Sequence, residues 1–151
     1  MINTYLQKRK EDEQSQLIAK TTHAFAMGVT ANCPIDLNKD REAKKLFQLY
    51  LVGVIDAICT GIEAPDDLTV GMTVAALRAG VMNGFYMAEC DTINYSESSI
   101  QDLARKLGSK GKVTKKENGI ITQGFNDFRD CILHKDNSVV ENFYYKVVLK
   151  N

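Results

Sequence analysis

Apolar residues in this 151-residue chain fall into blocks with helical spacing, and the densest block runs from Leu46 to Ala88. There LFQLYLVGVIDAICTGI is followed by EAP and then by DDLTVGMTVAALRAGVMNGFYMA. Small residues recur at every fourth position: Gly53, Ala57 and Gly61 in the first arm, then Gly71, Ala75 and Ala79 beside Ala76, Gly80, Gly84 and Ala88 in the second. Each row lies along one helix face. A glycine inside a helix costs about 1 kcal/mol relative to alanine, so its repeated use predicts the close approach of another backbone. Gly61 and Pro65 bracket a turn, and Asp66 is placed to cap the second arm. The expectation is a tightly packed helical hairpin.

Helical spacing continues on both sides of it. After the polar start QKRKEDEQSQ come Leu17, Ile18, Thr22, Phe25, Ala26 and Val29, so residues 17–31 are expected to pack and residues 1–16 to form a solvated arm. That start is compatible with a free arm or with a dimer helix, which leaves a homo-oligomer open. Pro34 ends the first helix, and Asp36 or Asn38 is placed to cap the next. Ser98 with Gln101 forms a capping-box pattern before Ile100, Leu103, Ala104 and Leu107, and Gly108 stops that helix. Ile121, Phe125, Phe128 and Ile132 give a further face. Ser138 with Glu141 repeats the capping-box pattern before Val140, Phe143, Tyr144, Val147 and Val148. FYYKVVL also has strand propensity, but cap and spacing agree on helix. Between Gly108 and Gly119 the lysine-rich SKGKVTKKEN has no core pattern, so residues 108–119 are expected to be a mobile basic loop. The fold class that results is all-α, a single-domain bundle of about six helices over residues 1–151 around a Gly/Ala-rich central hairpin.

Composition narrows the setting. With 44% apolar and 25% charged residues the chain resembles an ordinary globular domain of a size that buries one core. Nineteen basic and nineteen acidic side chains cancel, so no global field favours nucleic acid or an anionic membrane. Asp56 and Arg78 near the middles of the two arms argue against a membrane span, and their levels in the hairpin allow them to pair. Cys33, Cys59, Cys90 and Cys131 form no C-x-x-C, and Cys59 sits in an apolar helix as a small hydrophobe. Reduced cysteines, and a start without a signal-peptide apolar core, predict a cytoplasmic protein.

Candidate chemistry is sparse. Cys131 and His134, three apart with Asp127 and Asp130 nearby, resemble half of a metal site, but no H-E-x-x-H or paired C-x-x-C supplies the other half. No metal and no cofactor are therefore expected. There is no G-x-S-x-G elbow and no phosphate loop, so no catalytic residue is assigned, and a small enzyme stays as a third class without a motif. DLARKLG resembles the first helix and turn of a helix-turn-helix, yet the positions where the second helix wants aliphatics hold Thr114 and Glu117. Arg105, Lys106, Lys110, Lys112, Lys115 and Lys116 can still contact phosphates, which makes a nucleic-acid-associated regulator using residues 105–116 the alternative function.

The string YLVGVIDAICTGIEAPDDLTVGMTVAAL, residues 50–77, resembles the core of a bacterial family of small helical proteins, the type VI secretion amidase immunity and resistance-associated proteins. Tyr50, Gly53, Val54, Asp56, Ala57, Pro65, Leu68, Thr69 and Gly71 match the family's Y-x-x-G-V-x-D-A, proline and [VL]-T-x-G-Q pattern, with Met72 in place of the glutamine. Exported members carry a disulfide between cysteines where this chain has Phe47 and Glu63, a loss that fits a cytoplasmic relative. The resemblance implies a protein that binds a cognate toxin and blocks its active site, with no catalysis of its own. The leading expectation is thus a protein-binding, immunity-like or adaptor protein whose exposed turn, with Glu63, Asp66 and Asp67, supplies acidic contacts to a protein partner.

Overall fold

The computed structural model describes residues 2–61 and 113–151, which are mostly helical with no strand among them. The second arm of the hairpin, the helix expected after Ser98 and the count of about six helices rest on residues 62–112, outside the described residues.

Helix α1, Ile2–Ala31, carries the polar start and the packing half as one continuous helix. Thr22, Phe25, Ala26 and Val29 are buried as their spacing predicts, but Leu17 is exposed. The helix ends where Asn32 folds back, its amide donating to the Val29 carbonyl at 3.2 Å and its side chain to the Gly28 carbonyl at 2.7 Å. Neither Asp36 nor Asn38 caps the next helix. Asp36 instead closes its own turn by accepting from the Asn38 amide at 2.9 Å, and Asp40 accepts from the Ala43 amide at 3.0 Å in the N-cap position. Asp36, Asn38 and Asp40 could each cap here, and the one adjacent to the helix took the role.

Helix α2, Arg41–Gly61, becomes apolar on every side from Tyr50 to Ile58, where only Asp56 is less than fully buried. A helix apolar all round lies inside the fold. Its main neighbour is α3, Lys115–Leu133. This helix begins four residues before Gly119, inside the stretch expected to be a mobile loop. The reason is a capping box: the Glu117 amide donates to the Thr114 hydroxyl at 3.1 Å, and the Thr114 amide donates to the Glu117 carboxylate at 3.1 Å. The core face of α3 is also rotated from the expected one. Ile120, Gly124, Asp127 and Phe128 face inward, while Ile121 and Phe125 are half-buried and Ile132 is exposed.

After α3, Lys135 adopts a left-handed φ of 52° and turns the chain into a 3₁₀ segment, Asn137–Glu141, followed by a π-helical segment, Phe143–Val148. The expected Ser138–Glu141 box does not form. Asp136 caps instead, accepting from the Ser138 amide at 3.0 Å. Val139, Phe143 and Val147 are buried, and this four-residue step suits the wider π turn.

Candidate functional site

The point at which α2, α3 and the C-terminal segment meet is a buried carboxylate. Asp127 is only 2% exposed and is the only buried acid among the described residues. The Tyr50 hydroxyl donates to its Oδ2 at 2.6 Å, and the amides of Gln123 and Asn142 both donate to its Oδ1 at 2.8 Å. Gln123 lies one turn before it on α3, the spacing at which helical side chains meet. Asn142 stands at the junction of the 3₁₀ and π segments. Around Tyr50 the aromatic rings pack together, with the Phe143 ring centroid 5.2 Å from that of Tyr50 and 5.0 Å from that of Phe47.

Burial pushes the Asp127 carboxyl above the usual carboxylate range, against the pull of its three hydrogen bonds and of the more distant Lys146. The same burial, reinforced by the neighbouring Asp127 charge and the hydrogen bond to it, pushes the Tyr50 phenol strongly upward. Asp127 is fully engaged by neutral donors, which suits a group that holds elements together. Two glycines bring the backbones close enough for this. A β-carbon at Gly53 would overlap the Ile121 carbonyl and lie 2.8 Å from the Phe125 amide nitrogen, and one at Gly124 would overlap the Tyr50 carbonyl. The close approach predicted for Gly53 is therefore made to α3.

The residues expected to carry function are placed only in part. Glu63, Asp66, Asp67, Arg105, Lys106, Lys110 and Lys112 lie outside the described residues, as does Arg78, the expected partner of the half-buried Asp56. Lys115 and Lys116 are exposed on the first turn of α3, not on a loop. Cys131 is half-buried with its thiol pushed up by burial, whereas His134 is an exposed C-cap whose amide donates to the Asp130 carbonyl at 3.0 Å. No group of three metal-ligating side chains occurs among the described residues. None of their helices is long and apolar enough to cross a membrane.

The Asp127 centre was missed from sequence because its members are polar. The available signal was the Gln123–Asp127 pair lying on one stripe with Ile120 and Phe128. Comparison of the chain with protein-family models, with curated proteins and with solved structures returned no match.

Proposed function

We propose that this chain is a protein-binding protein, immunity-like or an adaptor, that docks on a partner protein or inhibits it without catalysis of its own. It acts in the cytoplasm on this reading, in keeping with the free thiols of Cys33 and Cys131. The observation that carries the reading is where large apolar side chains stand in water. Among the described residues Leu17 and Met27 are exposed on α1, and Ile132, Leu133, Tyr145 and Leu149, at 59%, 68%, 56% and 60% exposed, fall together in the last stretch of the chain. Single exposed apolar residues are ordinary, but several within one short stretch are typical of surfaces that bind other proteins. The acidic turn with Glu63, Asp66 and Asp67 adds charge contacts on this account.

Affinity capture from the source cells with the full chain as bait tests the proposal. A recovered protein partner that is lost on Asp66→Lys with Asp67→Lys is the expected result. Recovery of no protein, or equal recovery by the charge-reversed bait, would count against it.

A second reading, a nucleic-acid-associated regulator, is favoured by one observation. Lys115 and Lys116 are both exposed at a helix N-terminus, where the helix dipole adds to their positive potential. On that reading a gel-shift complex weakens steeply with salt and vanishes when Lys112, Lys115 and Lys116 become alanine.

A further inference from the structure

Asp127 does more than fill a hydrogen-bonding site, because of which elements it joins. Its donors come from α2 (Tyr50), from its own helix (Gln123) and from the C-terminal segment (Asn142), and none of the three is charged. The Phe143 ring, next in sequence to Asn142, packs on both Phe47 and Tyr50. The C-terminal segment therefore both bonds to the carboxylate and packs on the ring of the tyrosine that donates to it.

The groups that face Asp127 are few. From α2 comes the Tyr50 phenol, from the C-terminal segment the exposed Lys146, and one turn on in α3 lies Cys131, whose thiol acts on Tyr50. Among the described residues no charged group of α1 or of the 3₁₀ segment acts on it, and no cation lies within ion-pair distance.

We propose that Asp127 is a proton-sensitive clasp: residues 137–151 dock more firmly on the α2–α3 pair when its carboxyl is protonated and loosen as it ionises. Protonation falls on Oδ2, where the Tyr50 hydroxyl accepts instead of donating, and Oδ1 keeps both amide donors. Burial prevails over the hydrogen bonds, so the docked carboxyl holds its proton to a higher pH than a free aspartate at about 3.9. Lifting the segment removes the Asn142 bond and admits water, which returns the group to its ordinary value. The docked form binds the proton more tightly, and by linkage acid favours docking. Its contribution is complete below the free value and is lost as pH rises through the docked one.

Residue-resolved hydrogen exchange across pH, corrected for intrinsic rates, together with the NMR titration of the Asp127 carboxyl carbon, tests this. In the full chain, protection of the Leu149 and Asn151 amides, bonded to the Tyr144 and Val148 carbonyls, should fall as pH rises from the free aspartate value of about 3.9 toward neutrality while the carboxyl titrates above its free value. Asp127→Asn should hold that protection level across the range. A flat wild-type profile, a slope that survives in Asp127→Asn, or a carboxyl titrating at or below the free value would overturn the proposal. Should Asp127→Asn fail to fold, Asn142→Ala breaks the same link from the other side. It should lower protection in the segment and leave that of α2 unchanged, and undiminished protection of the segment would overturn the proposal as well.

Discussion

A β-carbon at Gly53 has nowhere to go, because the atoms it would meet belong to the backbone of α3 and cannot rotate aside. Gly53→Ala and Gly124→Ala are each expected to lower unfolding free energy by about 3 kcal/mol, measured by chemical denaturation, since overpacking here must separate two helices. Gly119 supplies the control. Nothing lies within 4 Å of its missing side chain, so Gly119→Ala should stabilise α3 by up to about 1 kcal/mol through helix propensity alone. Asp127 divides in the same way between its substitutions. Alanine orphans one buried and two part-buried donors and should cost about 2 kcal/mol or more, whereas asparagine keeps an acceptor for the two amides and a donor for the Tyr50 oxygen and should cost far less. Because the folded-state pKa is raised, the margin of wild type over Asp127→Asn should be largest below about pH 3.9 and shrink as pH rises through the folded value. Denaturant titrations at a series of pH values read that margin directly.

Among the elements, α3 shows how a cap overrides a composition. The lysine run argued for a loop, but Thr114 and Glu117 satisfy each other's amides and start the helix before Gly119. Thr114→Ala should lower stability by about 1 kcal/mol and fray the turn that carries Lys115 and Lys116, seen as lost amide protection there. The T-x-x-E spacing that makes this cap is present in the sequence, set among basic residues that drew the loop reading. Helix α2 was far more legible, since its unbroken apolar stretch and the small residue Gly53 announce burial and close contact without any partner in view. The partner itself was not legible. Apolar spacing placed Ile121 and Ile132 inward on α3, but the true contact stripe runs through Gly124 and Asp127, which hydrophobicity does not weigh. The π segment was likewise hidden, because Val139, Phe143 and Val147 repeat every four residues in either kind of helix.

For the whole molecule, the described residues divide between an interior that is fully engaged and a surface that is not. Asp127 is held by three donors, and one of them, Tyr50, packs its ring on Phe143, which packs on Phe47. Ile132, Leu133, Tyr145 and Leu149 meanwhile face water. Although the caps expected among them did not form, the helical class of the described residues followed from apolar spacing, a local property. The site did not, because binding surfaces leave no fixed residue pattern, and the acidic turn and most of the basic residues lie outside the described residues. The buried polar centre holds the fold, and on the proposed reading function is exerted from the surface on a protein partner. Quantitative capture from source cells with three baits, the wild-type chain, Asp127→Asn and the Asp66→Lys/Asp67→Lys pair, tests it most directly. Wild type and Asp127→Asn should recover the same protein in equal yield, and the charge-reversed pair should recover none. An Asp127→Asn chain that melts like wild type yet loses the partner, or a charge-reversed chain that keeps it, would contradict the account.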